Sequence, residues 1–407
     1  MDKHLAVYIS NKDNKQALIE RIISGQFIST LSNLKGALFS EITLNKFIAE
    51  EIHHGHFDVV TETKNSLQKS SEGERKKALL NHIISQNPEY IIVDNVFGNL
   101  DITAQSYIEK TLEHLSKEIS IVQITNRKAD ILSFINDIFQ VQEGEFFPIK
   151  NIDESEITES KRFVEALPQP YKIASTPVNP LVCFNNVTIA YNERTIVNNI
   201  CWEIKSGEFW QLIGSNGSGK STLLSLISGD NPKAYGQDIT LFGIKKGSGE
   251  SIWDIKEKVG YFSSEILRGF KRSDSIGNMI VSGFYDTIGL YKMPTHAQIK
   301  IAQQWLYVLD MFDIRKSNFL SLSIGHQRLV LIARAMVKQP PLLILDEPTN
   351  GLDDVDAKLF SGLINKIASE SNTAILYVSH RKEKNLKPEF IYQLTSGSNG
   401  SIGKKVL

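Results

Sequence analysis

Cysteine and long apolar runs are both scarce in this sequence. The 407 residues contain two cysteines, Cys183 and Cys201. One possible pair in a chain of this size does not indicate a disulfide framework, and we expect both to be small, buried apolar residues in a reducing compartment. No run of about 18 apolar residues occurs, and the apolar stretch in the opening MDKHLAVYIS is too short for a signal-peptide core. The sequence therefore predicts no membrane span and a cytoplasmic location, with peripheral attachment to the inner face of the plasma membrane as an alternative.

The sequence also lacks a surplus of charge of either sign. Lys and Arg number 45, Asp and Glu number 46, and the formal net charge is −1. This balance gives no overall attraction to nucleic acid or to an anionic membrane, although a local basic patch is not excluded. Apolar residues make up 41% of the chain, which is enough for ordinary cores, and the length favours two domains over one.

Proline is concentrated in one segment. Five of the 12 prolines lie between Pro148 and Pro180, together with four acids, Asp153, Glu154, Glu156 and Glu159. Because proline disfavours the interiors of helices and strands, and clustered acids favour solvent, we interpret 148–180 as a linker. It would separate an N-terminal domain, 1–147, from a C-terminal domain, 181–407. An acidic surface loop inside one domain is the alternative.

The two flanking regions look like copies of one plan. PLLILDEPTNGLD ends at Asp353 and EYIIVDNVFGNLD ends at Asp101, and in both the final Asp follows an earlier Asp by seven residues. Gly325 in SIGHQR and Gly73 in SEGER each stand 21 residues before the earlier Asp of their own copy. Matched spacings over this length indicate duplicated domains and argue against the single-domain alternative.

Alternating strand and helix patterns predict an α/β fold with a mainly parallel sheet in each half. Residues 342–345 are continuously apolar, as expected for a strand covered on both faces. Residues 323–338 show the spacing of a helix with one apolar face. A strand, a glycine-rich loop and a helix are expected in succession at 209–228.

The strongest local motif is GSNGSGKST, which fits G-x-x-x-x-G-K-[ST] between a strand and a helix. Its three glycines would leave the backbone N–H groups room to surround a phosphate, and the helix N-terminus adds a favourable dipole. Lys220 is expected to reach the β- and γ-phosphates, and the Ser221 hydroxyl to ligate Mg²⁺. The sequence predicts that ATP is bound by Gly214, Ser215, Asn216, Gly217, Ser218, Gly219, Lys220, Ser221 and Thr222.

Two carboxylates follow the apolar strand at 342–345. Asp346 stands at its carboxyl end, where ligands of open α/β sheets gather, and we expect it to hold Mg²⁺ through water. Glu347 follows it, where a carboxylate can accept a proton from, or orient, the water that attacks the γ-phosphate. An Asp-Glu pair after a strand is more often a solvated turn, but the phosphate-loop motif favours the functional interpretation.

With these motifs the chain resembles ATP-binding cassette (ABC) proteins over nearly its whole length. The resemblance implies two P-loop cassettes in tandem, each with a helical subdomain that carries a signature motif, and an ATPase activity. It identifies Tyr191 with the aromatic that stacks on adenine and His380 with the histidine that contacts the γ-phosphate. LSIGHQR at 322–328 looks like the signature motif, and NGLD at 350–353 looks like the loop that communicates between cassettes.

More narrowly, the C-terminal half resembles tandem ATP-binding proteins associated with molybdenum transport and with photorepair. The resembling segments include WQLIGSNGSGKSTLLSLISGDNP and GSGESIWDIKEKVGYFSS. One departure concerns a glutamine that many cassettes carry near the position of Ser264, where it helps to ligate Mg²⁺ and couples the site to a membrane partner. No Gln occurs between Val259 and Phe270. This absence weakens a transport role or implies a different coupling residue.

The N-terminal half has lost most of the corresponding chemistry. When Lys15 is aligned with Lys220, the three glycines are replaced by Ile9, Lys12 and Asn14, and Ser221 is replaced by Gln16. Asn95 and Asn126 stand where Glu347 and His380 would be, and Asp94 alone is retained. The chain starts at the strand before this loop, so no adenine-stacking strand is expected here. The sequence therefore predicts that this half does not hydrolyse ATP.

The N-terminal signature survives as SSEGER, with Ser71, Gly73 and Glu74. Cassettes of this family pair head to tail, so the resemblance implies that this signature closes over the nucleotide at Lys220. We therefore expect a single working composite site, closed by ATP and released by hydrolysis. Pairing within the chain is the first hypothesis, and a homodimer is the alternative.

Three functions are compatible with these motifs. The first is an ATP-binding subunit that drives an integral membrane permease for an oxyanion such as molybdate. The second is an ATPase that acts on a macromolecule in repair or translation, although the short acidic linker does not favour translation. The third is a nucleotide-binding regulator with negligible turnover, which an intact Glu347 and His380 argue against.

Overall fold

The computed structural model describes residues 4–28, 31–55, 57–61, 63, 65–98, 100–142, 144–149, 163–169, 178–264, 273–380 and 383–407. The interpretation of 148–180 as a linker falls largely outside these residues. The chain divides into two compact units. The N-terminal unit comprises Met1–Thr158 with Gly351–Asp354, and the C-terminal unit comprises Glu159–Asn350 with Val355–Leu407.

The N-terminal unit is a six-stranded sheet flanked by helices. Its strands are β1 (His4–Tyr8), β2 (Gly36–Phe39), β3 (Tyr90–Asp94), β4 (Ser120–Thr125), β5 (Asp137–Gln142) and β6 (Glu145–Pro148). Its helices are α1 (Lys15–Ile23), α2 (Glu41–His54), α3 (Glu72–Ser85) and α4 (Ile102–Leu115). The sheet order is β2-β3-β4-β1-β5-β6, and all neighbours are parallel except the β5–β6 hairpin.

The C-terminal unit contains two sheets. Its strands are β7 (Val182–Tyr191), β8 (Arg194–Ile204), β9 (Phe209–Gly214), β10 (Asp238–Leu241), β11 (Ile244–Lys245), β12 (Val259–Ser263), β13 (Leu342–Asp346), β14 (Ala374–Val378), β15 (Phe390–Thr395) and β16 (Ile402–Lys405). Its helices are α5 (Lys220–Ile227), α6 (Ile252–Lys256), α7 (Ile276–Val281), α8 (His296–Val308), α9 (Ile324–Met336) and α10 (Asp354–Glu370).

The main sheet of the C-terminal unit has the order β12-β13-β14-β9-β15-β16. Its neighbours are parallel except in the β15–β16 hairpin. This order repeats that of the N-terminal sheet strand for strand, which is the structural counterpart of the spacing repeat in the sequence. A smaller antiparallel sheet, β11-β10-β7-β8, accompanies it. The predicted α/β fold with mainly parallel sheets is confirmed. The expectation that both cysteines are buried is wrong: Cys183 is half-buried and Cys201 is exposed, because each alternates with buried neighbours along β7 or β8 and so points away from the core.

Buried apolar strands carry the core of each unit. Residues 342–345 of β13 are all buried, as are all five residues of β3, because helices cover both faces of a parallel sheet. In the C-terminal unit the core joins β9, α5 and the small sheet through residues such as Leu212, Leu224 and Ile239. The glycine-rich loop between β9 and α5 is thereby fixed at both ends by buried elements.

The signature segments of both units form helix N-termini. Ser71 caps α3 in a capping box, in which its hydroxyl accepts from Glu74 N–H and the Glu74 carboxylate accepts from Ser71 N–H at 2.8 Å. Ser323 caps α9 in a similar way and accepts from the N–H of His326 at 3.3 Å. Among the described residues, no helix is both long enough and apolar enough to cross a membrane.

Candidate nucleotide-binding site

The glycine-rich loop 214–222 links the carboxyl end of β9 to the start of α5. Gly217 and Gly219 have φ values of +76° and +93°, in the left-handed region that glycine adopts without strain. Gly214 is needed for a different reason, since an added Cβ would lie 2.5 Å from Ser218 Oγ and 3.0 Å from Leu394 Cβ. Gly217 and Gly219 are therefore required by the backbone conformation, and Gly214 is required by the close packing around it.

Helix α5 starts without a capping side chain. Its N-cap is Gly219, which offers no group that could accept a hydrogen bond from the N–H groups of the first turn. Lys220 folds back over the loop, and its ammonium donates to Gly214 O at 2.8 Å and to Ser215 O at 3.1 Å. Ser221 is exposed and Thr222 is half-buried in the same turn. The loop therefore presents an uncapped helix start beside a lysine, which is the arrangement that binds phosphate.

An open cavity of about 1050 Å³ adjoins this loop. Three segments line it: the β7–β8 hairpin from Tyr191 to Asn198, the loop residues Asn216 and Gly217, and the turn 396–401. The turn is tied to β8 by paired backbone bonds, from Asn198 N to Ser401 O and from Ser401 N to Ile196 O, each 2.8 Å long. The structure therefore brings the predicted Tyr191 and part of the predicted phosphate loop to one cavity.

Tyr191 is held by a buried amide that the sequence motifs do not reveal. The Nδ2 atom of Asn231 donates to the Tyr191 hydroxyl at 2.9 Å and to Ser225 Oγ at 3.0 Å. Its Oδ1 accepts from the N–H of Lys233 at 3.0 Å. Asn231 is 4% exposed, whereas Tyr191 is 41% exposed. The tyrosine side chain is therefore held at its hydroxyl group, while part of its surface remains exposed to solvent.

Asp346 ends strand β13 beside β12. Its Oδ2 accepts a hydrogen bond from the hydroxyl of Tyr261 at 3.2 Å, and its backbone O accepts from Ser264 N at 3.3 Å. Ser264 lies at about the position where the resemblance places the glutamine of many cassettes. Sequence analysis did not identify Tyr261, because a tyrosine in an apolar strand gives no signal beyond strand propensity.

Glu347 adopts an unusual backbone conformation directly after β13. Its φ is +46°, a left-handed value that is uncommon for a residue with a long side chain. Its N–H donates to Val378 O at 2.8 Å, which ties the turn to β14. The carboxylate then lies near His380, with 3.6 Å between Glu347 Oε1 and His380 Nε2. The structure therefore brings together the two residues predicted to act at the γ-phosphate.

The Glu347 carboxyl group has an elevated pKa. Burial is the main cause and the adjacent Asp346 charge adds to it, so that the pKa is raised to about 7 although Lys220 opposes the shift. Its Oε1 atom is buried, and no described residue donates a hydrogen bond to it.

The residues present fit a magnesium nucleotide. An uncapped glycine-rich helix start suits phosphate, and a hydroxyl together with a carboxylate, from Ser221 and Asp346, gives the hard oxygen ligands that Mg²⁺ prefers alongside phosphate oxygens. Within the described ranges there is no cluster of three or more His, Cys, Asp or Glu residues that could hold a metal without the nucleotide.

The same positions of the N-terminal unit keep the backbone but change the side chains. Asn95 follows β3 with a φ of +46°, and its N–H donates to Ile124 O at 3.0 Å, as Glu347 does in the other unit. Lys76 of α3 donates to Gly98 O at 2.7 Å, and Arg328 of α9 donates to the corresponding Asn350 O. The loop architecture is therefore shared although the catalytic residue types are not.

Comparisons with known proteins agree with these observations. A family model described as "ABC transporter" matches residues 197–350. The ABC transporter ATP-binding protein ModF of Escherichia coli (strain K12) is 39% identical over 329 residues, which are 77% of this chain and 67% of that protein. An ABC transporter ATP-binding protein of Schizosaccharomyces pombe is 30% identical over 326 residues, 78% of this chain and 66% of that protein. The chain thus spans about two thirds of the length of these relatives.

A solved structure gives a likeness in fold. The archaeal ribosome recycling factor aABCE1, in its complex with the ribosomal stalk protein aP1, matches with a TM-score of 0.66 at 15% identity over 99% of this chain and 84% of that one. This likeness shows the fold alone, whereas the sequence match to ModF carries the family. The resemblance drawn from the motifs is confirmed, and the chain belongs to the ABC family as a tandem ATP-binding protein with ATPase activity.

Proposed function

We propose that the C-terminal half, 181–407, is the hydrolysing cassette of this ATPase and that 1–147 is a degenerate cassette joined to it by the linker 148–180. The observation that carries the proposal is that one unit contains both an uncapped glycine-rich loop and the buried carboxylate of Glu347, which lies 3.6 Å from His380 Nε2. Residues 214–222 hold the phosphates of ATP, and Tyr191 contacts the adenine.

Lys220 contributes positive charge at the β- and γ-phosphates. Ser221 and Asp346 hold Mg²⁺, which supplies charge neutralisation for the phosphate oxygens when bound. The hydrogen bond from Tyr261 to Asp346 supports this role, because it limits the rotation of the carboxylate.

Glu347 acts on the attacking water, and His380 contacts the γ-phosphate. The carboxylate can take a proton from water or orient it. A pKa of about 7 suits this task, because roughly half of the groups are then ionised at neutral pH and the carboxylate is basic enough to accept a proton. The backbone N–H of His380 and the hydroxyl of Ser379 hydrogen-bond to the same carboxylate and fix its position.

The N-terminal signature, with Ser71, Gly73 and Glu74, is proposed to complete the site that Lys220 begins. The capping box keeps the start of α3 ordered. Gly73 is also confined, since an added Cβ would lie 3.1 Å from Ala104 Cβ, so a larger residue would disturb this helix start. We expect Ser71→Arg to abolish turnover. Unchanged turnover would instead indicate that the C-terminal half pairs with a second copy of the chain.

The work performed by ATP hydrolysis is proposed to be energy coupling for a membrane permease, with the protein on the cytoplasmic side. The similarity to ModF, an ABC transporter ATP-binding protein, supports this role. Molybdate is the proposed substrate class, from the resemblance alone. The second candidate is action on a macromolecule, and it is favoured by the absence of a glutamine between Val259 and Phe270.

Two measurements test these proposals. Lys220→Ala should abolish ATP hydrolysis, whereas its matched control Lys15→Ala should retain most of it, and comparable loss in both would refute the assignment of the working site. For the partner, Glu347→Gln should trap a complex in native membranes, and the proteins that co-purify should include an integral membrane protein. Recovery of ribosomes or DNA instead would favour the second candidate.

A further inference from the structure

The loop of the N-terminal unit that corresponds to the phosphate loop, residues 9–16, is occupied by groups of the protein itself. Its N–H groups donate to nearby side chains: Ser10 N to Asp13 Oδ2 at 2.7 Å, and Lys12 N to Ser10 Oγ at 3.2 Å. The Asp13 carboxylate therefore accepts a hydrogen bond from a backbone N–H of this loop. The loop needs no phosphate to satisfy these donors.

The helix after this loop is capped, unlike its counterpart. Asn14 is the N-cap of α1, and its Oδ1 accepts from the N–H of Ala17 at 3.1 Å. In α5 the same position is Gly219, which has no side chain that could accept a hydrogen bond. A side-chain acceptor at the N-cap consumes a first-turn N–H that would otherwise bind an anion. The capping change therefore removes a donor as well as adding bulk.

The lysine of the N-terminal loop is committed to an ion pair. Lys15 Nζ lies 3.1 Å from Asp94 Oδ2, and the Asp94 side chain is 1% exposed. A buried carboxylate needs a counter-charge, and Lys15 supplies it. The ammonium thus serves the carboxylate whose counterpart, Asp346, is proposed to hold Mg²⁺.

Three asparagine side chains form hydrogen bonds between the loop 9–16 and the turns that follow β3 and β4. Asn126 N donates to Asn95 Oδ1 at 3.2 Å, and Asn126 Nδ2 donates to Asn11 Oδ1 at 2.9 Å. Asn95 and Asn126 stand where the other unit has Glu347 and His380. They are hydrogen-bonded to each other, and Asn126 is also hydrogen-bonded to Asn11 of the loop. Neutral amides hold the geometry here by hydrogen bonds without any titratable group.

We infer that the N-terminal loop is a self-liganded site, in which Asp13, Asn14 and the Lys15–Asp94 pair take over the positions of phosphate and metal, so that the chain binds one nucleotide instead of two. The lack of a nucleotide at the N-terminal loop is inferred from that loop alone, whereas the count of one nucleotide rests on the function proposed for the C-terminal unit. It assigns a structural role to residues whose counterparts in the C-terminal unit are proposed to bind the magnesium nucleotide.

The first test counts nucleotides on the full chain with Mg-ATPγS by equilibrium dialysis at saturation. We expect about one nucleotide per chain, and the same value for Lys15→Ala, because no ligand depends on that lysine. A value near two, falling towards one in Lys15→Ala, would overturn the inference. A value near zero for the unchanged chain would instead remove the proposed function of the C-terminal unit, so the two failures are distinguishable.

The second test concerns the internal ion pair and uses thermal unfolding without nucleotide. Lys15→Ala should lower the midpoint of the transition, because it leaves the Asp94 carboxylate buried without its counter-charge. The double variant Lys15→Ala/Asp94→Asn should recover part of that loss, since the amide carries no charge. An unchanged midpoint in the single variant would contradict the pairing.

Discussion

At the scale of single residues, the site depends on side chains held in place by neighbours outside the motifs. Glu347 is fixed by the backbone of His380 and by Ser379, and Tyr191 is fixed by Asn231. These supporting contacts decide how well the motif residues are oriented, because a group held by two or more hydrogen bonds loses little freedom on binding.

Substitution of Glu347 by glutamine should separate binding from chemistry. The amide keeps the size and most hydrogen-bonding capacity of the side chain but cannot accept a proton from water. We expect Glu347→Gln to bind ATP with near-normal affinity and to reduce kcat by about a hundredfold or more. Single-turnover hydrolysis beside a binding titration would measure this, and near-normal turnover would remove Glu347 from the role of base.

The hydrogen bond between Asn231 and Tyr191 should contribute to nucleotide affinity. Tyr191→Phe keeps the ring but loses the hydroxyl. Asn231→Ser keeps an oxygen that can accept from the N–H of Lys233, but its side chain is too short to donate to the Tyr191 hydroxyl. We expect each variant to raise KM for ATP about three- to tenfold, in line with the loss of one hydrogen bond, with kcat nearly unchanged.

Coupling between these two variants distinguishes positioning from general destabilisation. If Asn231 acts through the tyrosine hydroxyl, the double variant should be no worse than either single variant. Additive effects on KM would show that the two residues act separately.

At the scale of structural elements, the loop between β9 and α5 is the most demanding segment. Gly219 has a φ of +93°, and an added Cβ would lie 2.5 Å from Val197 Cγ1. Gly207 also has a positive φ, +78°, but nothing lies within 4 Å of its added Cβ. The two glycines therefore form a matched pair that separates conformational strain from steric conflict.

We expect Gly207→Ala to lower the free energy of unfolding by about 1 kcal/mol through its backbone conformation alone. Gly219→Ala should lower the free energy of unfolding further. It should also weaken ATP binding by about tenfold or more, because the loop must shift away from β8. Chemical denaturation and a nucleotide titration would measure both, and equal ATP affinity in the two variants would contradict this account of the loop.

Sequence analysis predicted the elements that carry repeated motifs and missed those that carry none. Strand β13, helix α9 and the loop 214–222 were predicted because apolar periodicity and glycine spacing are local signals. The turn 396–401 and Asn231 were not, because their importance arises from contacts with Ile196 and Tyr191 that are far away in the sequence. Long-range contacts of this kind are set by tertiary packing and leave no short-range pattern.

The reason for each glycine also required the structure. The motif predicted that Gly214, Gly217 and Gly219 all give the backbone freedom to turn. Only the last two have positive φ values, and Gly214 is required by the side chains around it. The motif spacing predicts a glycine at position 214. Only the structure shows that a larger residue there would collide with Ser218 and with Leu394 of strand β15.

At the scale of the whole molecule, the two units share a strand order while differing in polar detail. Buried ion pairs are part of that detail, and Lys246–Glu250 is the clearest example in the C-terminal unit. The two side chains are 3% and 2% exposed, with 2.9 Å between Lys246 Nζ and Glu250 Oε1. Glu250 Oε1 also accepts from the N–H of Gly247 at 3.0 Å.

This pair should make stability depend on pH in the acid range. Burial alone would raise the pKa of Glu250, but the hydrogen bonds from Gly247 and Lys246 outweigh it and lower the pKa from 4.5 to about 2. A carboxyl group whose pKa is lower in the folded state stabilises the fold above about pH 4.5, and this contribution is lost as the pH falls towards 2.

We therefore expect Glu250→Gln to be less stable than the unchanged chain at pH 7, with a difference that shrinks as the pH falls below about 4.5. Urea unfolding at a series of pH values would measure it. A constant difference across this range would show that the ionised pair does not cause the effect.

The left-handed turn after β3 and β13 has a consequence for how a duplicated enzyme diverges. Asparagine tolerates this conformation better than most residues, and glutamate does so less readily. Exchanging the acid for an amide at Asn95 therefore relieves a strained turn at the same step that it abolishes proton transfer. Under the proposed assignment, the N-terminal copy gains stability from this exchange, whereas the C-terminal copy keeps the strained conformation at Glu347 because turnover requires the carboxylate.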